Sequence, residues 1–156
     1  MNRFAFDKIV QLYKTSPVFQ DLIETAIGTG VAAGSQALLT DMSPQEIALA
    51  SGATFGAGMV GRPIAGRIGQ ALGGVVDRKA PQFGKEVMAD IYGMVDAMPG
   101  PIGQAYHAKL GPYAHMGGMA QYGNLLGRGI GDNLAQAIVA LAAPGVFDGT
   151  RDKEEK

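Results

Sequence analysis

Small residues recurring at every fourth position constrain this chain more than any other feature of it. Ala53, Ala57, Gly61, Ala65, Gly69 and Gly73 form one series, Gly123, Gly127, Gly131 and Ala135 a second, and Ala26, Gly30 and Gly34 a third. On an α-helix this spacing draws a slowly rotating stripe without bulky side chains. Glycine inside a helix costs about 0.8 to 1.0 kcal/mol relative to alanine, so each stripe is a deficit that something else must offset. Close approach of a second helix does so, because dispersion and Cα–H to carbonyl contacts accumulate between bare backbones. The stripes therefore predict helix packing through Gly30, Gly34, Ala53, Ala57, Gly61, Ala65, Gly69, Gly73, Gly123, Gly127, Gly131 and Ala135, within the chain or between copies. A bulky residue, as in Gly69→Leu or Gly127→Leu, is expected to block the contact, and Gly→Ala to be mild.

The local signals agree on an all-α fold without a sheet. Phe4, Ile9, Val10, Leu12 and Tyr13 outline a short amphipathic helix that stops before Ser16-Pro17, where Ser caps and Pro starts the next one. Ser43-Pro44-Gln45-Glu46 reads as a capping box opening a third helix. Arg62-Pro63 predicts a break or kink in it, and Asp77 to Pro81 a polar connector. Phe83, Val87, Met88, Ile91, Met94, Val95 and Met98 recur at helical spacing up to a second connector at 99–101. A last helix from about Met116 is expected to close at Pro144-Gly145. The reading is one helical domain over 1–145 and a charged, disordered tail over 146–156.

Charge limits what such a domain can do. Charged residues make up 17% of the chain, against a usual share of about 25%, so the surface is expected to be covered by other protein or to touch lipid. Basic and acidic residues nearly cancel, 13 against 14, which gives no overall field for nucleic acid and little repulsion between copies. Cysteine is absent, excluding disulfides and thiolate metal sites. The first residues alternate charged with apolar and do not resemble a secretory signal, so synthesis in the cytosol is expected. The longest uncharged runs, Thr25 to Thr40, Ile47 to Gly61 and Asn133 to Phe147, each fall short of the roughly 18 to 20 apolar residues of a spanning helix. They favour a soluble or membrane-apposed protein, while small-residue helices can also cross a bilayer inside a bundle.

Sharper chemistry finds little purchase. Gly56-x-Gly58-x-x-Gly61 matches a dinucleotide fingerprint, but a capped helix rather than a strand precedes it, and no acid follows at the required distance. His107 and His115 lack a carboxylate at ligand spacing. No nucleophile stands beside a His and an acid in a recognisable order. The reading is therefore non-catalytic, with no cofactor, metal or small-molecule substrate. Arg62, Arg67, Arg78, Lys79 and Lys85 give the middle of the chain a local positive excess, a candidate contact for an anionic partner such as phospholipid headgroups. No cluster of aromatics accompanies them for stacking on bases.

In composition and length, residues 16 to 145 resemble small Gly- and Ala-rich helical proteins of bacteriophage particles, including capsid-associated, internal-core and ejection components. The resemblance implies a multicopy structural subunit that contacts itself and other proteins of a virion. Two functions follow as expectations: a structural subunit of a larger assembly, or a glycine-zipper protein that inserts into or permeabilises a bilayer.

Overall fold

The computed structural model describes residues 3–154, with side chains as far as Phe147. Its described residues form six α-helices, α1 (Arg3–Thr15), α2 (Pro17–Leu39), α3 (Pro44–Lys79), α4 (Pro81–Asp96), α5 (Gly100–Leu110) and α6 (Gly118–Glu154), with a 3-10 turn (Gly111–Tyr113) before α6 and no strand. The fold is all-α.

Capping chemistry sets where the long helices start. Ser16 Oγ accepts from the Phe19 amide at 3.2 Å. Ser43 Oγ accepts from the Glu46 amide at 3.4 Å while the Glu46 carboxylate accepts from the Ser43 amide at 2.6 Å, the reciprocal pair that satisfies two orphan donors. The start of α6 is capped from a distance: both Asp77 carboxylate oxygens accept from it, one from Met119 N and one from Ala120 N, each at 2.8 Å. The chain enters there through Gly117 and Gly118, whose φ of 64° and 53° lie in the left-handed region that favours glycine.

The long helices α3 and α6 run antiparallel, with their small residues face to face. Gly61 lies opposite Gly131, Ala65 opposite Gly127, Gly69 opposite Gly123 and Gly73 opposite Met119. Each step of four along α3 is matched by a step of four back along α6. A Cβ on Gly69 would overlap the Gly123 carbonyl, one on Gly73 the Met119 carbonyl, and one on Gly127 the Ala65 carbonyl. Ala135 packs against Gly61, Ala53 lines a cleft with Val139, Ala142 and Ala143, and Ala57 is half-buried on α3. The third stripe differs. Gly30 and Gly34 on α2 have no atom within 4 Å of an added Cβ, because α2 faces the pair with Gln20, Asp21, Thr25 and Gln36 instead.

Several expected boundaries are corrected. There is no break at 62–63: α3 continues through Pro63, at the expense of the hydrogen bond that a residue there would donate to the Met59 carbonyl, because α6 packs along both sides of this point. The connector at 77–81 shrinks to Ala80, since Asp77 is fixed by its capping role. The second connector falls at 97–99, with Gly100 and Pro101 already helical, Pro being tolerated in a first turn. Nor does α6 close at Pro144-Gly145. It runs to Glu154, so residues 146–154 of the expected tail are helical, and 155–156 lie outside the described residues.

The seam also reverses the expectation that Gly→Ala is mild along the stripes. Gly69→Ala and Gly123→Ala should each destabilise by roughly 1 to 3 kcal/mol, the usual cost of overpacking. Gly52→Ala, where nothing stands within 4 Å, should be neutral or stabilising by about 0.4 to 1 kcal/mol. Thermal unfolding followed by circular dichroism checks the contrast, and equal shifts at seam and control positions would mean that the two backbones do not touch.

Candidate functional site: a charged seam inside an apolar exterior

The side chains enclosed by α2, α3 and α6 are polar. From α6 come Gln121, Asn124, Asp132 and Gln136, with Arg128 between them, spaced by three and four so that they share one face. From α2 come Gln20, Asp21, Thr25 and Gln36, and from α3 come Thr54 and Arg62. Glycine makes the room. A Cβ on Gly58 would meet Asp132, Thr25 and Gln136, one on Gly28 the Gln136 amide, and one on Gly66 the Arg128 side chain. These glycines sit off the backbone seam and accommodate buried polar groups instead of a second helix.

Arg62 is the hub. Its Nε donates to Asp21 Oδ1 at 2.9 Å, its Nη1 to Asp132 Oδ2 at 2.5 Å, and its Nη2 to the Glu24 carboxylate. Arg128 donates to the other Asp21 oxygen, and Lys109 Nζ to Glu24 at 3.2 Å. Tyr13 OH donates to Glu24 Oε1 at 2.7 Å, and Gln136 Nε2 to Asp132 Oδ1 at 2.6 Å. Three cations thus meet three carboxylates, and the charges cancel. A buried charge is tolerated only when paired and hydrogen-bonded, since desolvating it costs several kcal/mol. Arg62, at 3% exposure, is therefore not a contact for an external anion, which corrects that expectation. Arg67, Arg78, Lys79 and Lys85 are exposed.

Two tyrosines close the seam at the α1 and α5 end. Burial, helped by the hydrogen bond to Glu24, raises the Tyr13 phenol above its ordinary range. Tyr113, at 1% exposure with the Arg128 guanidinium 5.1 Å from its ring centre, is pushed up to about 12. Its main cause is burial, which disfavours the phenolate; Arg128 acts in the opposite sense and Asp21 in the same.

The outside is the converse. Leu38 and Leu141 are 85% and 83% exposed, and Val18, Leu22, Ile27, Val31, Leu49, Val60, Ile64, Leu134 and Ile138 also face outward. No described charge on α2 is exposed. On α3 none is exposed between Glu46 and Arg67, a span of about 30 Å at the helical rise that matches the hydrocarbon thickness of a bilayer, roughly 30 Å. Over Gly118–Phe147, α6 is long and apolar enough to cross a membrane, with 17% of its most apolar window buried inside the protein. The three uncharged runs that look too short in the sequence are extended in space because the charges between them turn inward.

The remaining candidates stand apart from this seam. Gly56, Gly58 and Gly61 lie within α3. His107 Nε2 pairs with Asp96 at 2.7 Å on the surface and stacks on Tyr92, while His115 is exposed. No family model, curated protein or solved structure matches the chain, so geometry carries the functional reading.

Two outcomes follow. Arg62→Leu should destabilise the fold by about 3 to 5 kcal/mol, because it strands three buried carboxylates; chemical unfolding of the purified protein measures it, and a near-neutral effect would mean the cluster is hydrated. The Tyr113 phenol should remain protonated well above pH 10 in the folded state. Since its folded value is raised, its contribution to stability is complete below the unfolded value of 10.0 and is lost as the pH climbs toward about 12. Ultraviolet titration of wild type against Tyr113→Phe resolves it, and ionisation at the ordinary value would contradict the burial argument.

Proposed function

We propose that this protein is a non-catalytic, membrane-inserting helical bundle, in which α2, α3 and α6 cross the apolar layer and the charged seam is enclosed between them. One observation carries the reading: the largest fully buried side chains include Gln20, Gln121, Asn124, Thr25 and Thr54, while leucines, isoleucines and valines cover the exterior. In water this distribution forfeits the main driving force for folding. In a bilayer it becomes favourable, since lipid solvates the apolar faces and ionisable groups turn to the bundle interior. Intramembrane charge of this kind commonly marks a path for ions or polar solutes, which fits a component that permeabilises a bilayer once the seam opens.

A second reading keeps the protein as a structural subunit of a larger assembly, with neighbouring copies covering the apolar faces. The bare Gly30 and Gly34 on α2 favour it, since small residues at this spacing suit contact between copies. A virion component, the class the composition resembles, accommodates either reading.

Flotation with liposomes and alkaline extraction of membranes separate the two. The membrane reading expects the protein to float with vesicles, to resist alkaline extraction and to release trapped dye. A protein that stays in the aqueous fraction as a compact species by light scattering would overturn it, and a large soluble oligomer would favour the structural subunit.

A further inference from the structure

We propose that the outer face of α3 binds the phosphate of an anionic lipid headgroup between Arg67 and Arg78, an inference that rests on the membrane reading and names a ligand for it. The two arginines line a shallow pocket of about 360 Å³ whose floor is Ala71, Gly74 and Ala120, with Gln70 beside it. Arg78 folds back along the helix: its Nη1 lies 3.7 Å from where a Cβ on Gly74 would stand, which turns its guanidinium toward the Arg67 end. Among the described residues neither arginine has an ion pair or a side-chain hydrogen bond. The adjacent acid, Asp77, does not neutralise them, because both of its oxygens are held by the first amides of α6.

This arrangement differs from that of the other two arginines of the bundle, Arg62 and Arg128, which are saturated by carboxylates. Two unpaired guanidiniums over a floor of small residues offer parallel N–H donors to a planar or tetrahedral oxyanion, and the absent side chains let it approach. The pocket's height along the helix selects the source of that oxyanion. Arg67 is the first exposed charge on α3 after Glu46, so it stands where a hydrocarbon layer of about 30 Å ends and headgroup phosphates begin. Ile64, exposed one turn below, lies where an acyl chain of the same lipid would run. Lys79 and Lys85, also exposed, add to the positive potential at this level.

The test uses the full chain in neutral detergent, with lipid adducts counted by native mass spectrometry. Phosphatidylglycerol and phosphatidylcholine are offered at equal concentration, and inorganic phosphate in a separate arm. Wild type should retain phosphatidylglycerol several-fold over phosphatidylcholine. Arg67→Gln with Arg78→Gln should abolish that preference, and Arg67→Lys with Arg78→Lys, which keeps the charge but loses the paired donors, should retain part of it. Unchanged circular dichroism establishes that the variants are folded. An undiminished preference in the glutamine double variant would overturn the site while leaving flotation of wild type, and with it the membrane reading, intact. Inorganic phosphate binding as tightly as the lipid would overturn the assignment to a headgroup, and failure of wild type to float with any vesicle would overturn both.

Discussion

Backbone contact between α3 and α6 is the constraint on which the rest of the molecule depends. Where two helices meet through Gly61, Ala65, Gly69 and Gly73 on one side and Gly123, Gly127 and Gly131 on the other, no volume is left between them for apolar side chains. A packed interior of leucine and isoleucine cannot form along that line. The large apolar residues of both helices are displaced to the outer flanks, where Ile68, Leu72, Leu126 and Ile130 rise on either side of the glycine floor. The inside-out distribution is thus a geometric consequence of choosing glycine for the seam.

The third helix then determines the chemistry. Because α2 lies against a pair whose contact line is already closed, it meets their polar edges, and Asp21 and Glu24 reach Arg62 from one side as Asp132 does from the other. An ion pair of this kind is a poor source of net stability, since desolvation offsets the Coulomb gain. Its contribution is to register: only one rotation and one height of α2 brings its carboxylates to both Arg62 and Arg128. Apolar helix faces surrounded by lipid or by neighbouring copies slide easily past one another, and a neutral, six-membered charge cluster fixes their alignment.

The helices and their caps were legible in the sequence because capping depends on residues only three positions apart, as at Ser43 and Glu46. Stripe spacing was equally local. The seam of charge was not, for a physical reason: polar residues at helical spacing, such as Gln121, Asn124, Arg128, Asp132 and Gln136, describe a solvated face as well as a buried one, and only the position of α2 distinguishes them. Two signals were present. Arg62 stands alone between the uncharged residues 47–61 and 63–66, where a lone cation on a bland surface has little purpose, and Gly28, Gly58 and Gly66 fall off the four-residue stripes, at places where a large side chain from another helix must fit. Arg67 and Arg62 look alike in sequence, yet five residues along a helix carry the side chain to another face, so one became the hub and the other stayed outside.

The prolines show the same dependence on surroundings. A helix that carries Pro144 lacks the amide that would bond the Ala140 carbonyl, and in water a solvent molecule fills that role without consequence. Here the Ala140 carbonyl accepts from Gln36 Nε2 at 3.2 Å, across from α2, with Gln36 only 4% exposed. Supplying a side-chain donor to a single freed carbonyl is worthwhile only where water does not reach it, which is the condition inside a bundle whose exterior is apolar. A proline that reads as a helix end in the sequence is therefore an interior residue in the fold, made tolerable by a glutamine more than a hundred positions away. The continuity of α6 through this point follows from the same dryness that makes Arg62 demand three carboxylates.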